Sequence, residues 1–194
     1  MDRIHFDPAK KINYMYGLVN NAIESLVRTN FGDENWEKVL KISGIDIDFF
    51  LNSQSYDDAV TFALANAVSE VTRTPIGEVF RAFGEWWVLK TAQEKYGHLM
   101  EASGSSLREF LINLPDFHNR IFFIYPKLTP PEFKISDLQA TSLNLHYYSK
   151  RQGLQEFVWG LITGLGKMYR VPVEIELVST RSRGNDHEIF KINW

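Results

Sequence analysis

The spacing of apolar residues changes beyond Pro131, and that change limits the folds open to this chain. In the first two thirds, apolar side chains recur every three to four residues, whereas beyond Pro131 segments of alternating residues flank one more helical segment. The segment 125–131 between these regions contains three prolines, which interrupt helices and strands alike. We therefore expect an α+β fold in which a mainly helical N-terminal subdomain, about 15–126, packs on a C-terminal subdomain, about 127–194, built of an antiparallel sheet and helices.

Capping and turn residues divide both parts into predicted elements. Asp33 is expected to cap a second helix, Thr74 and Pro75 to open a long one, and Ser106 with Glu109 to open another. Pro115 is expected to end that last helix and to begin a new one. The predicted elements are helices at 15–31, 33–43, 57–72, from 75, from 106, from 115 and at 155–169, an irregular connection at 45–56, and strands at 133–138, 143–151, 171–179 and 187–193.

Composition excludes several classes of function. The chain has no cysteine, so disulfides, thiolate zinc sites and thiolate-ligated haem are excluded. Its formal net charge of -3 gives no excess of basic residues for nucleic acid, which we do not expect as a partner. The N-terminus lacks the apolar core of a signal peptide, and no apolar run is long enough to span a membrane. We expect a cytoplasmic globular protein.

One histidine lies in an apolar stripe. Leu114, Phe117, Ile121 and Phe122 follow helical spacing after Pro115, and His118 lies beside Phe117 within that stripe. Two interpretations are open: a core histidine with a single hydrogen bond, or a lone metal ligand. A lone protein ligand suits haem, in which the porphyrin supplies four nitrogens, and does not suit zinc.

Three hydrogen-bond donors follow two apolar residues on one predicted strand. If Leu143 and Leu145 face the core, alternation places Tyr147, Ser149 and Arg151 on the same side. A strand end that turns out into water is one explanation. A carboxylate-bearing ligand, bound by a guanidinium, a hydroxyl and a phenol, is the other.

These residues resemble a known family, the haem nitric oxide/oxygen-binding (H-NOX) domains, which are related to the sensor domain of soluble guanylate cyclase. The resemblance extends from Met15 to Trp194 and leaves 1–14 as an N-terminal extension before a single domain. The matching segments are MYGLVN at 15–20, which resembles the family's start, FGEWW at 83–87, its distal helix, LPDFHNR at 114–120, its proximal-histidine segment, and Tyr147-x-Ser149-x-Arg151, its propionate motif.

The resemblance implies a cofactor, haem b, bound between the two subdomains, and a role for each site residue. His118 is implied as the proximal iron ligand, and Tyr147, Ser149 and Arg151 as the residues that hold the propionates. Three further positions are implied to press on the porphyrin and distort it: Val19, Pro131 and Leu161. The implied distal pocket contains Phe83, Trp87 and Phe157.

Position 157 bears on the choice of gas. Oxygen-binding members of the family carry a distal tyrosine at the matching position, and its hydroxyl stabilises bound oxygen, whereas nitric oxide needs no such donor. This chain has Phe157, and Leu161 and Leu165 continue the same apolar helix face. The resemblance therefore implies a sensor of nitric oxide and carbon monoxide. The indole N–H of Trp87 leaves an oxygen-binding haem protein as an alternative.

The resemblance also implies a sensor without enzymatic activity of its own. Nitric oxide binding is expected to break the bond between His118 and iron, relieve the porphyrin distortion and shift the two subdomains. The output partner is expected to be a separate histidine kinase or diguanylate cyclase. Two other hypotheses are an enzyme that uses His118 or His146 as a general base with Tyr147 or Ser149, and a haem-free module that binds an apolar carboxylate through Arg151.

Overall fold

A computed structural model describes residues 14–124 and 131–194. Its seven α-helices are α1 (Gly17–Phe31), α2 (Asp33–Ser43), α3 (Asp58–Thr72), α4 (Ile76–Trp86), α5 (Gln93–Glu101), α6 (Leu107–Ile124) and α7 (Gln155–Met168). A π-helical segment, Trp87–Ala92, joins α4 to α5, and a short 3-10 helix covers Arg181–Arg183. The strands are β1 (Tyr14–Tyr16), β2 (Ser55–Asp57), β3 (Glu132–Ser136), β4 (Ser142–Tyr148), β5 (Glu174–Ser179) and β6 (Glu188–Asn193). No helix among the described residues is both long and apolar enough to cross a lipid bilayer.

The arrangement of these elements confirms the α+β class. Four strands form an antiparallel sheet in the order β3-β4-β6-β5, and the short strands β1 and β2 pair separately. Leu143, Leu145 and Tyr147 are buried on one face of β4, as the alternation predicted. The predicted extension, 1–14, lies outside the described residues except for Tyr14, the first residue of β1.

Several local predictions were wrong. The helix that opens near Ser106 continues through Pro115 to Ile124 instead of ending there. Proline removes one backbone hydrogen bond, but Leu111, Leu114 and Phe117 are buried on a single stripe that spans it, and this burial favours one continuous helix.

Errors of one to three residues occur at other element ends. Strand β4 ends at Tyr148, three residues before its predicted end, and part of the predicted irregular connection forms β2. Gly32 and Pro75, rather than Asp33 and Thr74, occupy the N-cap positions of α2 and α4. Short polar strands and caps leave little periodicity in a sequence, so their bounds depend on tertiary contacts.

The buried side chains form two clusters. One unites α1, α2, α3 and most of α4, and the other unites α5, α6, α7 and the four-stranded sheet. Trp87, at the start of the π-helical segment, packs against both clusters. The boundary between the clusters is therefore the place where a cavity can form without opening either core.

Helices α4 and α7 cross in direct backbone contact, and glycine makes this possible. A Cβ atom on Gly84 would lie 2.2 Å from the Phe157 carbonyl oxygen, and one on Gly160 would lie 2.1 Å from the Arg81 carbonyl oxygen. Both distances are far below van der Waals contact. The crossing fixes the distance between the residues beside it, Phe83 and Phe157.

Candidate functional site

A cavity of about 220 Å³ lies at the boundary between the two clusters. Its wall is almost wholly apolar and aromatic. Of the ten site residues named from the sequence, all except Ser149 line it: Val19, Phe83, Trp87, His118, Pro131, Tyr147, Arg151, Phe157 and Leu161. Residues far apart in the chain therefore line one cavity.

Helix α6 contributes His118 to the cavity wall. The ring's Nδ1 lies 3.3 Å from the Leu114 carbonyl oxygen one turn earlier, and an Nδ1–H donates to that oxygen. Within the described residues this is the ring's one hydrogen bond, so Nε2 keeps its lone pair for a metal. The ring packs against Phe133, with ring centroids 4.6 Å apart. Burial lowers the pKa of His118 to about 4, and the hydrogen bond to Leu114 opposes this only partly, so the imidazole is neutral at pH 7.

Tyr147 and Arg151 line the cavity, and Ser149, which is not among the lining residues, interacts with both. The Ser149 side chain hydrogen-bonds to the Tyr147 phenol, and its Oγ accepts the Arg151 backbone N–H at 3.1 Å. Burial raises the pKa of Tyr147, an effect that the bond to Ser149 and the Arg151 charge reduce. Strand alternation explains the inward Tyr147 but not Arg151, since β4 ends at Tyr148.

The Arg151 guanidinium is buried and joins distant parts of the chain. Its Nε donates to Asp58 Oδ2 at 2.7 Å, and Nη2 donates to the Tyr14 carbonyl oxygen at 2.7 Å. Asp58 begins α3 and Tyr14 begins β1, so one side chain links the loop after β4 to both elements. The other oxygen, Asp58 Oδ1, is buried without a hydrogen-bond partner among the described residues.

Sequence reasoning missed Asp58, although a signal was present. Asp57 and Asp58 stand side by side at the start of α3, where a helix needs one N-cap. Asp57 fills that role, because its side chain accepts the Ala59 N–H at 2.8 Å. The second carboxylate, at a buried position, requires another partner, and Arg151 supplies it.

Aromatic rings form the wall contributed by α4, α7 and the π-helical segment. Phe83 packs on Phe157 with ring centroids 5.0 Å apart and edge-on to Trp87 at 6.3 Å. Thr61, which sequence reasoning missed, also lines the cavity, but its hydroxyl donates to Asn20 Oδ1 at 2.7 Å. That hydroxyl proton is therefore not available to a ligand.

Residues 16–177 match the Haem-NO-binding family. The chain belongs to that family. The match covers most of the chain and confirms the resemblance inferred from the sequence motifs. Like the rest of this family, the chain is therefore a haem-binding gas-sensor domain.

Solved structures share the fold of this Haem-NO-binding chain. An H-NOX protein from S. oneidensis in the Fe(II)NO ligation state superposes with a TM-score of 0.84 at 20% identity, covering 92% of this chain and 98% of that one. The Fe(II) unliganded H-NOX protein from K. algicida gives a TM-score of 0.80 at 22% identity, covering 92% and 96%.

Curated relatives of this Haem-NO-binding chain are much longer proteins. Soluble guanylate cyclase gcy-31 of Caenorhabditis elegans is 28% identical over 182 residues, which are 93% of this chain and 26% of the relative. Soluble guanylate cyclase gcy-35 of the same organism is 33% identical over 156 residues, 76% of this chain and 22% of the relative. The chain thus spans about a quarter of the length of these relatives.

The residues around the cavity fit a haem. The imidazole has an unused Nε2 that can bind iron, and the apolar walls suit a porphyrin ring. The guanidinium and the phenol, on β4 and the loop after it, suit the two carboxylates. Val19, Pro131 and Leu161 reach the cavity from three separate parts of the chain: α1, the residue before β3, and α7.

Proposed function

We propose that this chain binds haem b and senses nitric oxide and carbon monoxide, with His118 as the protein ligand to iron. The observation that carries the proposal is the state of His118: it lines an apolar cavity, is neutral, and has its Nδ1 hydrogen-bonded to Leu114. A neutral imidazole whose other nitrogen is anchored is the usual axial ligand of haem iron. Family membership supports the same assignment.

Tyr147, Ser149 and Arg151 are proposed to hold the propionates. The Arg151 guanidinium and the Tyr147 phenol both line the cavity and can donate to carboxylate oxygens. Ser149 would act through them, because it hydrogen-bonds to the Tyr147 phenol and to the Arg151 backbone. Its own contact with a propionate is not required.

Nitric oxide is favoured over oxygen by the absence of a donor at position 157. Haem, when bound, would supply a ferrous iron that takes up a diatomic gas. A hydrogen-bond donor from the protein would stabilise oxygen there, whereas nitric oxide would not depend on one. Phe157 packs on Phe83 and has no hydrogen-bond donor. The Thr61 hydroxyl already donates to Asn20.

Release of His118 is the proposed signal. Leu107 to Phe117 hold the first part of α6 through buried side chains, whereas beyond His118 the described residues Phe122, Phe123 and Ile124 are exposed. A helix anchored at one end can pivot when the restraint on His118 is lost. The exposed apolar end of α6 supports a protein partner, and we propose a separate histidine kinase or diguanylate cyclase.

The test is the absorption spectrum of the purified ferrous protein, recorded without oxygen, then in air, then with nitric oxide. We expect a five-coordinate ferrous haem, no stable complex in air, and nitric oxide uptake with loss of the His118 ligand. The matched control is His118→Gly supplied with imidazole, which should restore the ferrous spectrum without a covalent link from iron to α6.

Each outcome has a distinct meaning. A stable spectrum of the oxygenated protein in air would contradict nitric oxide selectivity and make the Trp87 indole the next donor to test. A protein that takes up no haem would contradict the whole proposal and favour a module for an apolar carboxylate bound through Arg151.

A further inference from the structure

Among residues 14–124 and 131–194, no strand pairs with the loop that carries Ser149 and Arg151. Strand β4 ends at Tyr148, and its pairing with β6 ends at Tyr147, which lies opposite Glu188. A loop that presents a guanidinium to an anion must be held by other contacts, since a displacement of about 1 Å weakens such recognition. The Arg151 side chain is held by Asp58 and Tyr14, and the loop backbone is contacted from the 3-10 helix Arg181–Arg183.

Arg181 contacts the backbone of this loop twice. Its Nη1 donates to the Ser149 carbonyl oxygen at 2.6 Å, and its Nη2 donates to the Arg151 carbonyl oxygen at 2.8 Å. Its Nε donates to both carboxylate oxygens of Glu188, each at 2.9 Å. The guanidinium thus bridges β6 and the two loop residues of the Tyr-x-Ser-x-Arg motif.

Burial of Glu188 fixes the position of the Arg181 guanidinium. The Glu188 side chain is 2% exposed and that of Arg181 is 19% exposed. A buried carboxylate fixes the position of the guanidinium that neutralises it, and the planar group then aims its remaining N–H donors in set directions. One N–H on Nη1 and one on Nη2 donate to carbonyl oxygens of the motif loop.

We propose that Arg181, oriented by Glu188, is the positioning residue of the propionate-binding loop. The inference rests on the proposed function, because haem binding is what provides the propionates that this loop would hold. Arg181 does not touch the haem in this proposal: it sets the backbone of Ser149 and Arg151, and through that backbone the guanidinium that meets a propionate. The loop is therefore in its binding geometry before haem arrives.

Haem loss tests the proposal. The Arg181→Met variant of the haem-loaded protein should lose haem to excess apomyoglobin about tenfold faster than the wild type, and Arg181→Lys should lie between them. The matched control is Arg183→Met, an exposed arginine two residues away, which should behave as the wild type. Resonance Raman spectra of Arg181→Met should show shifted propionate bending modes and an unchanged iron–histidine stretch.

The isosteric variant Glu188→Gln covers the case in which Arg181→Met fails to fold. It should keep the fold, speed amide hydrogen exchange at 150–153 and speed haem loss about threefold, because one charge is lost while a hydrogen bond to Arg181 is kept.

The positioning role would be overturned if Arg181→Met lost haem at the wild-type rate and kept the wild-type propionate modes. Glu188→Gln decides the matter in the same way if Arg181→Met is unfolded. Either result would leave the proposed function intact. A wild-type protein that binds no haem would overturn both.

Discussion

At position 157 the hydrogen-bonding capacity of one side chain bears on which gas the cavity retains. Phe157 packs against Phe83 in the aromatic wall of the cavity. The Thr61 hydroxyl, also in the wall, donates to Asn20 and is not a free donor. Phe157→Tyr adds one hydroxyl at the ring edge. We expect this variant to form an oxygen complex that persists about five- to twelvefold longer than that of the wild type, since a hydrogen bond contributes about 1 to 1.5 kcal/mol.

The decay of the oxygenated spectrum after mixing ferrous protein with air measures this effect. Phe157→Leu is the matched control, because it changes the ring without adding a donor. Equal lifetimes in the Tyr and Leu variants would show that volume, rather than the hydroxyl, governs oxygen binding at this site.

Three of the residues named from the sequence follow a local pattern, which the missed residues do not. His118 and Phe157 follow local helical patterns, and Tyr147 follows the alternation of its own strand. Asp58 and Arg181 act through partners 93 and 30 to 32 residues away. No local sequence pattern indicates a contact between residues so far apart. The Tyr-x-Ser-x-Arg motif could therefore be predicted from the sequence, whereas the residues that hold it in place could not.

At the scale of elements, Tyr169 joins the end of α7 to the turn before α6. Its hydroxyl donates to the Gly104 carbonyl oxygen at 2.8 Å, and its ring packs on Phe110 with ring centroids 6.0 Å apart. Burial, with a smaller contribution from the Glu109 charge, raises the pKa of Tyr169 to about 12. The folded state therefore favours the protonated phenol.

Tyr169→Phe should lower the free energy of unfolding by about 1 kcal/mol at pH 8, because one hydrogen bond is lost. Since the folded pKa is raised, the advantage of the wild type is fully present below pH 10 and decreases as the pH rises towards about 12. Urea unfolding of both proteins between pH 8 and 12 measures the difference. A difference independent of pH would show that the phenol ionises equally in both states.

Helix α6 shows why element ends are harder to predict than elements. Pro115 is a local signal for a break, and the buried stripe from Leu111 to Phe117 is a distributed signal for continuity. The distributed signal prevails because several buried side chains outweigh one missing backbone bond. The existence and type of the long helices and of the four main strands were predictable for the same reason.

At the scale of the whole molecule, the Arg151–Asp58 pair links the loop after β4 to α3. Their side chains are 6% and 11% exposed, and Nε and Oδ2 lie 2.7 Å apart. Arg151→Met leaves the Asp58 carboxylate buried without its counter-charge, and we expect a loss of about 3 to 5 kcal/mol in the free energy of unfolding. Adding Asp58→Asn should recover part of that loss.

Urea unfolding of the haem-free protein, in a double-mutant cycle, measures the coupling without a contribution from haem binding. Arg108→Met, at an exposed position, is the matched control. Losses that simply add in the double variant would mean that the two side chains do not stabilise the fold as a pair.

Helix α7 presents two sets of positions that can change at very different rates. Phe157, Leu161 and Leu165 line the cavity, where a new side chain alters the ligand environment. Gly160 and Gly164, on the face towards α4 and the π-helical segment, leave no room for even a methyl group. A lineage, or a mutagenesis library, can therefore vary the first set with fewer restrictions than the second, so ligand preference can diverge among descendants that keep one architecture.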